Sequence, residues 1–173
     1  MCPGWHARTW PASFVEVAAL NFRLDLNSET VDQASPAKPT CVDPHTSIRE
    51  VFHIFKEQRK GCVLICRDDT LIGIFTERDA LKLMAEGASL DRPIEQVMVS
   101  KPVAVSAHDT VGKAIAKMSY GGYRRLPIVD DAGRPVGLLK VSGILRYLVE
   151  HFPKVVYTLP PAPHHATQQR EGA

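Results

Sequence analysis

Two side chains in the stretch Gly73-Ile74-Phe75-Thr76-Glu77-Arg78-Asp79 have the types and the spacing to handle a small polar ligand. Residues 63–65 and 71–75 are apolar runs with strand character, and Thr76 and Asp79 follow at once, ahead of a helical pattern. A strand that ends on a helix N-terminus presents unpaired backbone N–H groups and the positive end of the helix dipole, so an anion can settle there without a dedicated cation. The Thr76 hydroxyl and the Asp79 carboxylate, three positions apart, stand at its rim. The same spacing also fits a capping box, in which the threonine caps the helix and the acidic residue reaches back to the cap N–H.

The wider composition keeps any such recognition local. The chain has 173 residues and a net charge of +2, without the basic stripe or polybasic block that nucleic acid or an anionic membrane calls for. Nothing approaches the length of a membrane span. The short apolar patch near the N-terminus is interrupted by Pro11 and Glu16 and makes a poor signal peptide. Cys62 and Cys66 share a strand face but stand too far apart for a disulfide or a common metal, which reads as thiols in a reducing cytoplasm. No metal site is expected: His45 and His108 sit beside helix starts, as turn or capping residues do, and no further ligands cluster with them. No nucleophile stands in a recognisable elbow and no carboxylate couple stands out, so the chain is not expected to be an enzyme. Gly121-Gly122 lacks a strand-loop-helix context with a following lysine, and reads as a turn rather than a phosphate loop.

The elements that must position Thr76 and Asp79 come in duplicate. At an offset of 63, Pro39 matches Pro102, Val42 matches Val105, His45 matches His108 and Ser47 matches Thr110. The apolar stripe Ile48, Val51, Phe52 and Phe55 has its counterpart in Val111, Ala114, Ile115 and Met118. Matched strands follow at 62–66 and 125–129, then turns, then strands at 71–75 and 136–139, with one residue inserted in the second turn. Each unit therefore runs strand, helix, strand, turn, strand, helix. One unit cannot cover both faces of its own sheet, so two are expected to pack sheet to sheet about a pseudo-twofold axis, an α+β fold of two β-α-β-β-α repeats with two related clefts. The expected division is an N-terminal extension and linker over 1–38, repeats over 39–98 and 99–152, and a disordered tail over 153–173. Trp5 and Trp10 fall in the extension and His164-His165 in the tail.

The two units resemble a tandem pair of CBS domains, the arrangement often called a Bateman module, over about residues 39–150. The resemblance rests on pieces that coincide in order: the proline-led first strand, the Thr-Ser-Ile helix start, Gly-Ile-Phe-Thr-Glu-Arg-Asp, Arg-Arg-Leu-Pro-Ile-Val-Asp, and the connector Arg92-Pro93-Ile94-Glu95-Gln96-Val97-Met98. It implies a regulatory module that takes an adenosine-containing ligand (AMP, ADP or ATP, with S-adenosylmethionine ranked behind them) and requires no other cofactor. By that resemblance Thr76 meets phosphate and Asp79 the ribose hydroxyls. Arg125, with Arg124 held more loosely, brings a guanidinium from the other repeat, and the base lies against Pro102, Val103, Ala104 and Val105. Ile74 and Pro127 complete the expected site. The chemistry suits these roles, since a carboxylate accepts from a vicinal diol in a bidentate manner and guanidinium matches phosphate with two parallel bonds.

The second cleft departs from this pattern. Lys140 takes the threonine slot and Gly143 the aspartate slot, with Gly61 and Cys62 where the first cleft has its arginines. One nucleotide per chain is therefore expected, with Lys140 drawing at most a weakly held anion to the twin. The resemblance also implies a homodimer through helix faces, with Leu81, Leu83, Met84, Ile144, Leu145 and Leu148 supplying apolar surface, and a separate effector protein that reads the ligand-bound state. A constitutive dimerisation module with a vestigial cleft is the alternative. A third reading, single-stranded nucleic acid on Tyr123, Arg124 and Arg125, has thin support.

Overall fold

The structure, a computed structural model, describes residues 29–34 and 36–151. The tryptophans, the N-terminal apolar patch and the histidine-containing tail lie outside the described residues.

The first half comprises β1 (Cys41–Val42), α1 (Ile48–Gln58), β2 (Cys62–Arg67), β3 (Thr70–Thr76) and α2 (Glu77–Ala85). A 3-10 turn (Ile94–Gln96) and β4 (Val99–Ser100) lead into the second half, which comprises β5 (Val105–Ser106), α3 (Val111–Gly121), β6 (Arg125–Val129), β7 (Pro135–Lys140) and α4 (Val141–His151). The helices begin where the sequence supplies caps. The Glu50 N–H donates to Ser47 Oγ at 3.2 Å while the Glu50 carboxylate accepts from the Ser47 N–H at 2.9 Å, and Thr110 Oγ1 accepts from the Lys113 N–H at 3.1 Å. Helix α3 ends on Gly122 at φ 65°, a left-handed position glycine adopts without penalty. The β2–β3 hairpin turns on Asp68 and Asp69, both at positive φ as a tight primed turn demands.

Both strand pairs have the same plan. Strand β1 runs parallel to β2, β2 antiparallel to β3, and β5, β6 and β7 repeat that pattern. The apolar run in β2 is continuous because its two faces are both buried: Val63 and Ile65 pack with Ile48, Val51 and Phe75, while Cys62, Leu64 and Ile74 meet Leu138 of the second sheet. The two sheets thus share a middle layer and the helices cover their outer faces.

Each sheet is finished by chain that leads into the other half. Strand β4 pairs with β3, Gly73 opposite Ser100 and Ile74 opposite Val99. In the same manner Ala37 pairs with Leu138 of β7 through bonds of 3.0 and 2.9 Å. The segment before Ala37 is likewise structural. Val31 and Ala34 are fully buried in the second-half core beside Val111, Ala114, Leu126 and Ile128, where Ile94 occupies the first-half core. The Val111 N–H donates to the Glu29 carbonyl at 2.8 Å, as the Ile48 N–H does to that of Arg92 at 3.0 Å. Residues 29–34, read from the sequence as extension, therefore plug a core. A lone valine in a short turn leaves no periodic trace, and only its likeness to Ile94 betrays it.

No helix among the described residues is long and apolar enough to cross a membrane. Cys62 is buried, Cys66 half-buried and Cys41 exposed, all as free thiols.

Candidate functional site

A cavity of about 860 Å³ opens between the halves, within the range of roughly 300–1,000 Å³ usual for small-molecule sites. Four pieces of chain line it: the end of β3 with the start of α2, β4 with the crossover after it, the link from α3 into the start of β6, and the end of β7 with the start of α4. Eight of the residues expected from sequence are brought together there, namely Ile74, Thr76, Asp79, Pro102, Val103, Arg124, Arg125 and Pro127. Ala104 and Val105 are not among them. Val105 opens β5 and is 2% exposed, in the second-half core, and the Ala104 carbonyl accepts from Lys117 Nζ of α3 at 2.8 Å. The chain leaves the cavity after Val103 because its next residues must join the sheet.

The helix start at Thr76 works differently from the open anion cradle that the sequence suggests. The Thr76 N–H donates to Asp79 Oδ2 at 3.0 Å and the Thr76 hydroxyl to the same oxygen at 2.6 Å. The Glu77 N–H donates to the Gly61 carbonyl at 3.2 Å, a bond mirrored by the Val141 N–H and the Arg124 carbonyl at 3.1 Å. Two backbone donors at this strand end are thus already used inside the chain. The capping arrangement is formed, and Asp79 Oδ1 has no hydrogen-bond partner among the described residues.

Side chains then carry the charge. Five basic residues line the cavity, Arg78, Lys101, Arg124, Arg125 and Lys140, against the two carboxylates of Glu77 and Asp79. Lys140 is the residue whose place the sequence pattern leaves incomplete. It was expected at the twin cleft, yet it stands directly across the β6–β7 ladder from Arg125 and lines the same cavity, as does Ser142. Counting back along both strands from the turn at residues 130–133 would have found it. Like charges directly opposite on adjacent strands destabilise a sheet, so this pair is a local cost to folding that a bound anion would relieve. The position matching Arg125 in the first half is Cys62, which lies opposite Thr76. Burial pushes the Cys62 thiol above its ordinary range, with Arg125 and Lys140 pulling less strongly the other way.

Arg125 also crosses between the halves. Its Nη2 lies 3.5 Å from Glu77 Oε2, in the space that a side chain on Gly61 would take. The apolar part of the lining, Ile74, Val99, Pro102, Val103, Tyr123 and Pro127, offers flat and aliphatic surface for a ring.

The CBS domain family model matches residues 34–86 and again residues 94–150. An uncharacterized protein of Methanopyrus kandleri is 37% identical over 130 residues, which are 72% of this chain and 66% of that protein, so the chain spans just under two thirds of that relative. A solved structure of a CBS domain protein from Pyrobaculum aerophilum complexed with AMP is 25% identical, covers 70% of this chain and 98% of its own, and superposes with a TM-score of 0.63. A crystal structure of a CBS domain pair in complex with 5′-methylthioadenosine and S-adenosyl-L-methionine is also 25% identical, covers 68% of this chain and 97% of its own, with a TM-score of 0.62.

Proposed function

This chain belongs to the CBS domain family, and from that premise we propose that it is a regulatory, non-catalytic module that binds one adenosine-containing nucleotide in the cavity between its halves. The observation that carries this reading is the pair Arg125 and Lys140, directly opposite each other on adjacent strands and lining a cavity whose basic side chains outnumber its carboxylates, with only the partly exposed Glu77 carboxylate near Arg125. A phosphate supplies what they lack. In the proposed pose Arg125, Arg124 and the Thr76 hydroxyl, turned from Asp79 Oδ2 to donate outward, take the phosphate, and the Asp79 carboxylate takes the ribose hydroxyls. Ile74, Pro102, Val103 and Pro127 flank the base. The related structures with AMP and with S-adenosyl-L-methionine and 5′-methylthioadenosine support an adenosine ligand. The surplus of basic side chains favours AMP, ADP or ATP over S-adenosylmethionine, whose sulfonium adds a positive charge.

A ligand held from both halves biases how they pack, and an effector protein reading that packing would be informed of it. A cytoplasmic setting belongs to the same reading, in keeping with the free thiols of Cys62 and Cys66. So does a homodimer through α2 and α4, where Leu81, Met84 and Leu145 are 66%, 63% and 57% exposed. Ile144 is buried in the second-half core, and Leu83 and Leu148 pack against the cores, so these three contribute less to such a face than their sequence pattern suggests. The double variant Leu81→Glu, Leu145→Glu is expected to sediment as a monomer where the parent sediments as a dimer; identical sedimentation would remove the dimer from the reading.

Titration calorimetry with AMP tests the central claim, with a stoichiometry of one per chain expected. A ligand that binds only the folded form must also raise the thermal midpoint, by about 2.7 kcal/mol of added stability at one hundred times the dissociation constant. A midpoint indifferent to millimolar AMP, ADP and ATP would favour the constitutive dimerisation module instead, and two AMP per chain would defeat the asymmetry between the clefts.

A further inference from the structure

Glu77 lines the cavity and has no part in the pose above. Its carboxylate reaches from α2 of the first half to the Arg125 guanidinium of the second, with Glu77 61% and Arg125 30% exposed along the side chain. The contact passes over Gly61, where a Cβ would lie 2.3 Å from Arg125 Nη2 and 2.6 Å from Glu77 Oε2, so a side chain at 61 would oblige both groups to shift. Asp79 makes no ion pair with Arg125 among the described residues, and its Oδ2 accepts from the Thr76 N–H and hydroxyl instead. Glu77 is thus the carboxylate that offsets the repulsion between Arg125 and Lys140 before any ligand arrives.

We propose that Glu77 is an internal counter-ion that an incoming phosphate must displace from Arg125, which makes it a positioning residue that sets the preference of the cavity between phosphorylated and unphosphorylated adenosine ligands. This rests on the nucleotide reading above. The pair is half in solvent, and exposed ion pairs are weak enough for a phosphate to break. Displacement also severs a link between the two halves, so the exchange of partners at Arg125 is itself a change that packing can follow.

The test compares AMP with adenosine, by calorimetry at low salt, in the parent, Glu77→Gln, Arg125→Gln and the double variant. Removing the competitor is expected to raise the ratio of AMP to adenosine affinity by about threefold to fivefold, the scale of an exposed ion pair. That gain should vanish in the Arg125→Gln background and shrink as salt is added. Glu77→Ala provides a second route to the same result if the amide finds a partner of its own. An unchanged ratio in both Glu77 variants overturns the proposal while leaving the nucleotide reading intact, and so does an equal gain without Arg125, which would mean that Glu77 repels the phosphate directly. If parent and variants all fail to bind either ligand, the nucleotide reading falls and takes this proposal with it.

Discussion

Asp79→Ala is expected to cut AMP affinity by about tenfold to a hundredfold while taking only about 1 kcal/mol from the stability of the fold. The two numbers separate two jobs that meet on one carboxylate. As the third residue of α2, Asp79 accepts from the Thr76 N–H and hydroxyl, and losing a capping interaction of that kind costs roughly 0.5–2 kcal/mol. As the acceptor for a vicinal diol it would make hydrogen bonds to a charged group, worth about 1.5–3 kcal/mol each, or tenfold and more in affinity. Calorimetry gives the first quantity and urea unfolding the second. Losses of equal size in both would mean that the carboxylate only caps the helix. Asp79→Asn sharpens the comparison, because an amide oxygen can still cap but accepts the diol less strongly.

Beginning the chain at Pro39, where the visible repeat starts, is expected to destabilise it by about 3–5 kcal/mol relative to one beginning at Glu29. Val31 and Ala34 are fully buried against the second-half core, and burying a valine side chain alone is worth about 1.5–3 kcal/mol. The Val31 N–H bond to the Asp109 carbonyl at 2.9 Å and the Val111 N–H bond to Glu29 are lost as well. So is the hydrogen bond from the Tyr147 hydroxyl to the Glu29 carboxylate, which together with burial lifts the phenol to about 12. Against a typical total of 5–15 kcal/mol such a loss is large. Equal urea midpoints for the two chains would contradict the assignment of residues 29–34 to the core.

The duplicated architecture is legible in the sequence because its carriers are periodic. The stripes of α1 and α3 and the runs in β2 and β6 recur at a fixed offset, and that offset implies two halves before any geometry is known. What escapes is whatever depends on pairing across strands or on a single residue. Lys140 is assigned by its offset from Thr76 to the twin cleft, but its neighbours are decided by the hairpin register that sets it opposite Arg125. The base-side stretch is read two residues too far, since the strand that starts at Val105 takes that residue into the core. Ile144 is read as dimer surface because a helical stripe alone does not reveal how wide the covered face is. The acidic competitor at Glu77 had no sequence signal beyond its place beside Thr76, and the glycine opposite it becomes meaningful only once Arg125 is seen lying above it.

The crossed finish of the two sheets limits how the molecule can move. Since β4 is bonded to β3 and Ala37 to Leu138, the chain crosses between the halves only through the short stretches 38–40 and 101–104, which hold a jaw-like opening on both sides at once. The motion left to the molecule is a small sliding or twisting of one layer over the other with the edge bonds kept, the shear class of rearrangement rather than the hinge class. A transmitted signal would then take the form of altered angles between the outer helices, which a surface resting on two of those helices together would be best placed to register.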